Sequence, residues 1–170
     1  KRIVGHSGGH YGVAAELMMF EGLGYTFIYL SNSDVDAYWE TNVFIKSLLV
    51  GESEESRRYA FTREAVRRAE EDGVDAAHAF ALSKRRQLRE GVIDAAAYKR
   101  FNRGEGEKAL ALFDLNVRLF PKSPSALWAR AEGLRVFGEK RDAIAAYRAF
   151  LAVQPDDAEA VSRLRGLGVA

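Results

Sequence analysis

The stretch Gly104-Glu105-Gly106-Glu107-Lys108-Ala109-Leu110-Ala111-Leu112-Phe113 is answered farther along the chain by Gly138-Glu139-Lys140-Arg141-Asp142-Ala143-Ile144-Ala145-Ala146-Tyr147. Gly104 and Gly138 lie 34 residues apart, and so do Ala109 and Ala143, Phe113 and Tyr147, and Pro121 and Pro155. A fixed period of this length marks a stack of helical hairpins, because one hairpin cannot bury its own apolar face and must lean on the next. Each anchor has a physical job in such a unit. The glycine ends the first helix (helix A) in a tight turn. The alanine lets helix A and helix B approach closely, the aromatic ring fills the space between them, and the proline stops helix B.

The pattern resembles the tetratricopeptide repeat. One unit covers about 90–123 and the next about 124–157, with 158–167 as a terminal helix that covers the last unit. Leu127, Ala131 and Leu134 stand at expected anchors of the second unit, and Ile93 and Ala97 at those of the first. Arg130 and Arg100 depart from the pattern, since a leucine or another large apolar residue is usual there. The resemblance implies a module that holds a protein or peptide partner on the inner faces of its A helices, here Tyr98, Phe101, Trp128, Glu132 and Arg135. Trp128, like Trp39 upstream, is read as packing rather than as a ligand-stacking ring.

Upstream of the repeats, 52–89 is charged and helical, and it is read as a connector. Two helices are expected, about 54–71 and 74–89, with Asp72-Gly73 between them. Arginines and carboxylates alternate along both, which fits solvated faces laced with pairs one helical turn apart.

Residues 1–51 carry the strand signal. Arg2-Ile3-Val4 leads into Gly5-His6-Ser7-Gly8-Gly9, and 13–20 is apolar around Glu16. Glu21-Gly22-Leu23-Gly24 reads as a turn. Tyr25-Thr26-Phe27-Ile28-Tyr29-Leu30, aromatic and β-branched, is the clearest strand. The short glycine-bounded linker predicts that 12–20 and 25–31 pair antiparallel. Val35, Tyr38, Trp39, Val43, Phe44, Ser47 and Leu48 fall at helical spacing, and Gly51 closes that helix. The fold class expected is thus α+β, an antiparallel set of strands with a covering helix, followed by all-α repeats.

The front motif has two chemical readings. Taken literally, Gly5-His6-Ser7-Gly8-Gly9 is G-x-S-x-G, the nucleophile elbow of α/β-hydrolases with Ser7 on a sharp strand-to-helix turn. A triad would then need an acid and a histidine later in the chain, where only His10 and His78 remain. In the other reading, Gly5 to Gly12, then Glu16, Leu23-Gly24-Tyr25 and Leu30-Ser31-Asn32, resemble the end of the serine β-lactamase superfamily. The nearest members are class C β-lactamases and related esterases and D-alanyl-D-alanine peptidases. Members carry a Lys-Thr-Gly, His-Thr-Gly or His-Ser-Gly triplet on an active-site strand, which here is His6-Ser7-Gly8. Two antiparallel strands and a C-terminal helix follow it, and some members carry tetratricopeptide repeats after the catalytic domain.

The resemblance implies that Gly9 presents its backbone N–H to an oxyanion, and that His6 and Ser7 hydrogen-bond substrate or general base. Glycines at 8 and 9 let substrate backbone approach. It further implies a bacterial periplasm or cell envelope. The family nucleophile is the serine of Ser-x-x-Lys, and no serine of this chain has lysine three residues on. The second motif, Tyr-x-Asn or Ser-x-Asn, is also missing. Nucleophile, lysine and base are therefore expected N-terminal to Lys1, and the chain alone is expected to be catalytically incomplete.

Bulk properties narrow the rest. The chain has 170 residues, 48% of them hydrophobic and 29% charged, with a net charge of +1, so no global field draws it to nucleic acid. It has no cysteine, which excludes disulfides and thiolate zinc sites. No cofactor is expected, and His6 with His10 lack a third metal ligand nearby. The longest apolar runs, 12–20 and 25–30, are too short to span a bilayer, and no signal-peptide pattern is present. An uncovered sheet would leave an edge and an apolar face, so self-association through residues 1–50 is expected.

Overall fold

A computed structural model describes residues 2–10, 12–32 and 35–169 and divides the chain into two compact units, Lys1–Arg57 and Arg58–Ala170. The sequence boundary expected near residue 51 lies six residues before the structural one.

The first unit is a three-stranded antiparallel sheet in the order β1 (Ile3–His10), β2 (Val13–Phe20), β3 (Tyr25–Ser31), followed by helix α1 (Val35–Val50). The pairing of 12–20 with 25–31 is as the linker predicted, from Phe20 opposite Tyr25 to Ala14 opposite Ser31. Gly22 and Gly24 take φ of 80° and 71° in the connecting turn, a region open to glycine at little cost. β1 is longer than Arg2–Val4 suggested. The glycine run does not make a turn; it continues the strand, register intact from Ile3 opposite Phe20 to His10 opposite Val13. The residues of β2 alternate between faces. Ala14, Glu16, Met18 and Phe20 are buried, and Val13, Leu17 and Met19 are exposed. Helix α1 packs against β2 and β3, which accounts for the buried face. Gly51, φ 88°, closes α1 as read from sequence. Tyr11 and the side chains of His10, Val35, Tyr38 and Trp39 lie outside the described residues.

The second unit is helical. α2 (Glu54–Glu71) begins before the boundary and enters it, followed by α3 (Val74–Leu82), a single 3-10 turn at Arg85–Gln87, α4 (Glu90–Asn102), α5 (Gly106–Leu119), α6 (Pro124–Phe137), α7 (Lys140–Leu151) and α8 (Ala158–Gly166). α4 packs on α5, α5 on α6, α6 on α7 and α7 on α8. α4 and α6 start 34 residues apart, as do α5 and α7, and α8 starts 34 residues after α6. The starts of α6 and α8 share a device. Ser123 accepts a hydrogen bond from the Ala126 N–H (3.3 Å), and Asp157 accepts one from Ala160 (2.8 Å). Ala109, Phe113, Ala143 and Tyr147, the read anchors, are all fully buried.

Three details differ from the sequence reading. The 52–89 stretch is more than a connector. Ala65, Val66, Ala69, Ala77, Ala81 and Leu88 share one core with Ile93, Ala97, Leu112 and Phe113. These apolar residues, most of them small alanines four apart, are hard to see among so many charges. α3 ends at Leu82, not Arg89. The Ser83 hydroxyl donates to the Phe80 carbonyl (2.6 Å), and Thr62 of α2 accepts from the Arg89 N–H (3.0 Å), so the chain turns back toward α2. Finally, the repeat anchors are not conformational copies. Gly104 has φ 72°, whereas Gly138 is in extended conformation, and a Cβ there would meet Leu134 Cδ2 at 2.8 Å. Pro121 follows the end of α5 closely, but α7 has ended at Leu151, well before Pro155.

Candidate functional site

The sequence singled out two places: β1 and the A-helix faces. On β1, Ser7 lies opposite Glu16 and Gly9 opposite Ala14, on the face that α1 covers. His6 lies opposite Leu17 and Gly8 opposite Ala15, on the other face. His6, Ser7, Gly8 and Gly9 are all exposed. Strand alternation thus sends the imidazole and the hydroxyl to opposite sides of the sheet, and the two do not form a pair. Gly5 has no room for a side chain, since a Cβ would stand 2.2 Å from the Leu17 carbonyl oxygen. At Gly8 a Cβ would meet nothing within 4 Å, so the missing side chain leaves open space beside the backbone.

This geometry is not that of an elbow. A nucleophile elbow needs its serine at a strand-to-helix turn. Here Ser7 is inside a continuous strand, and 13–20 is a second strand antiparallel to it.

The five residues read as an inner docking face are occupied with packing and pairing inside the helical unit. Tyr98 meets Phe113 edge-on at 5.3 Å between ring centroids, and Phe101 meets Phe137 at 5.2 Å. Trp128 stands edge-on to Tyr147 (5.8 Å) and Phe150 (5.2 Å), in keeping with its reading as a packing ring. Glu132 accepts a hydrogen bond from the Tyr147 hydroxyl of α7 and one from Arg135 Nη2 (2.7 Å), and it pairs with Arg163 of α8 (3.2 Å). One carboxylate therefore ties three helices. Burial works against its ionisation, but the hydrogen bonds from Arg135 and Tyr147 outweigh it and hold the carboxyl below its ordinary range. Burial and the bond to Glu132 push the Tyr147 hydroxyl up.

The two arginines that departed from the repeat pattern have partners. Arg100 spans two oxygens of Glu70 (2.6 and 3.0 Å) and reaches Glu105 (2.8 Å), which joins α4 to α2. Arg130 reaches Asp114 (3.2 Å), itself paired with Arg118 (2.7 Å), which in turn meets Asp75 (2.5 Å). The apolar contact usual at these positions is replaced by half-buried charge pairs between helices. Such pairs add register more than net stability.

Asp94 on α4 was not singled out from sequence. One of its carboxylate oxygens is buried without a hydrogen-bond partner, and burial, with Glu90 one turn earlier, pushes its carboxyl up to about 6. A lone aspartate one turn after a glutamate is its only sequence signal. Among the described residues there is no group of three or more His, Asp or Glu placed to hold a metal, and no helix is long and apolar enough to cross a membrane. No model of a known protein family matches the chain, and no curated protein matches it significantly.

Proposed function

We propose that this chain closes the sheet of a serine hydrolase of the β-lactamase type and carries a tetratricopeptide-type repeat that docks a protein partner. The observation that carries the reading is β1. A His-Ser-Gly-Gly run lies at full extension on the outer strand of an antiparallel sheet, with two further strands and a helix in the order that the resemblance implies. The open space at Gly8 suits a substrate backbone laid along the strand. In this role the Gly9 N–H is the oxyanion donor, a contribution of a few kcal/mol where such donors are fixed in advance. His6 and Ser7 position the substrate or the base. The active-site serine and lysine are supplied by sequence outside this chain, whose ten serines lack the required lysine. A bacterial cell envelope is the compartment that this chemistry fits.

The 34-residue phase of the helix starts supports the docking half. Tyr98, Phe101 and Trp128 pack on neighbouring rings yet stay half-exposed, so the A-helix faces and the loops between hairpins both remain open to a partner.

Reading the coding sequence ahead of the Lys1 codon tests the hydrolase half. Ser-x-x-Lys followed by Tyr-x-Asn or Ser-x-Asn is the expected result, and an upstream frame without them overturns it. The chain alone should form no covalent adduct with a β-lactam in intact-mass spectrometry; an adduct on Ser7 would contradict the assignment of the nucleophile.

A further inference from the structure

We propose that one end of the helical unit, formed by the α3–α4 and α5–α6 loops, is a docking surface for an acidic peptide segment. The first loop carries Lys84, Arg85 and Arg86, all exposed, and the second carries Lys122, also exposed. A hydrogen bond from Arg85 Nη2 to the Leu119 carbonyl (2.9 Å) brings the two loops together at the end of α5. A second tie, between Ser123 and Glu90, holds the start of α6 beside the start of α4. The four cations therefore share one end of the stack.

Their surroundings concentrate the charge. No acidic residue occurs between Asp75 and Glu90, or between Asp114 and Glu132. Glu90, the nearest in sequence, is bonded to Ser123. Several arginines elsewhere in the unit are matched with carboxylates, as in Arg100 with Glu70, Arg118 with Asp75 and Asp114, and Arg163 with Glu132. Among the described residues Lys84, Arg86 and Lys122 form no such pair, and Lys84 approaches the Phe61 ring (5.9 Å). A chain of net charge +1 thus keeps a local excess at one place, which would attract an anionic partner at short range.

The patch suits a short acidic peptide better than a nucleic acid. It is compact, and its loops offer no exposed aromatic ring for a base to stack on. Phosphate recognition over a helical turn needs a longer run of cations. This site lies on the loops, apart from the A-helix faces, and it stands whether or not the sheet belongs to a hydrolase.

The test uses the full chain and a fluorescein-labelled peptide of alternating glutamate and serine, read by anisotropy at low and physiological salt. The expected result is saturable binding that weakens with salt and falls at least tenfold in the triple variant K84E/R86E/K122E, with an unchanged circular dichroism melt. R141E, which alters an exposed cation at the start of α7, should bind as the parent does. Equal binding by the triple variant overturns the proposal. So does tighter binding of a DNA duplex or of phosphatidylserine vesicles than of the peptide. If the triple variant melts early, the single variant R86E, read for a smaller loss of the same sign, decides the question.

Discussion

The Phe113 ring of α5 lies so close to Gly133 of α6 that a methyl group on the glycine would stand 2.6 Å from ring atom Cδ2. The contact is returned. A methyl group on Gly106, in the first turn of α5, would stand 2.8 Å from the Phe137 ring of α6. The two helices exchange an aromatic ring for a bare backbone at both places, which fixes their spacing and their slide along each other. Phe113 cannot retreat, because Tyr98 and Phe101 are packed edge-on against it.

Gly133→Ala should therefore destabilise the helical unit. Alanine in place of glycine inside a helix ordinarily gains up to about 1 kcal/mol. Overpacking a filled core costs about 1–3 kcal/mol, and the net is a loss. Gly91→Ala in α4 has nothing within 4 Å of the new methyl group and should be neutral or stabilising. Urea unfolding of both variants checks the sign, and stabilisation by Gly133→Ala would show that the ring can move aside.

Replacement of either buried anchor alanine with leucine should cost more than the same change on the exposed side of α7. Ala109 and Ala143 have no exposure, whereas Ala145 faces solvent. About 1–3 kcal/mol is expected for Ala109→Leu and Ala143→Leu and within about 0.5 kcal/mol for Ala145→Leu. Three equal melting temperatures would mean that the helix faces are assigned wrongly.

Asp94 gives a pH dependence of known sign. Its carboxyl holds its proton up to about 6 in the fold, against 3.8 for the ordinary group. The fold binds this proton more tightly than the unfolded chain does, so the group favours folding at low pH. That advantage is lost as pH rises through the window between the two values. Asp94→Asn should raise stability at pH 7 by about 1–2 kcal/mol, discounted for partial exposure. The difference between variant and parent should shrink toward pH 4. Thermal melts at pH 4, 5.5 and 7 read this directly, and a constant difference would place the cause elsewhere.

The sheet should recruit other copies of the chain. Val13, Leu17, Met19, Ile28 and Leu30 are exposed on one side of β2 and β3, and Leu30 is 78% accessible. An apolar face of this kind on a short sheet favours association. Light scattering should show oligomers of the whole chain and monomers of a chain that begins at Glu52. A monomeric whole chain would mean that this face is covered in solution.

Residues that repeat were legible in sequence because they do one thing at a fixed spacing. Ala109, Phe113, Ala143 and Tyr147 were placed in the core by period alone. The hairpin of 12–20 with 25–31 was legible because its linker was too short for a crossover. What sequence hid depends on partners distant in the chain. Gly133 was unremarkable until Phe113 was seen against it. Arg100 and Arg130 looked like faults in the repeat until Glu70 and Asp114 supplied their counter-charges. The repeat resemblance places Tyr98 and Trp128 on an inner A-helix face, but not the rings they meet: Phe113 for Tyr98, and Tyr147 and Phe150 for Trp128. For β1, the glycines that suggested a turn turned out to permit close strand packing, at Gly5 above all.

Adjacent helices pack on each other from α4 to α8, and the polar ties join helices two apart, still at modest separations in sequence. Arg100 to Glu70 spans 30 residues, Ser123 to Glu90 spans 33, and Arg118 to Asp75 spans 43. Closing such short loops costs little entropy, so the unit should fold quickly. Each hairpin could settle on the one before it while later residues are still being synthesised.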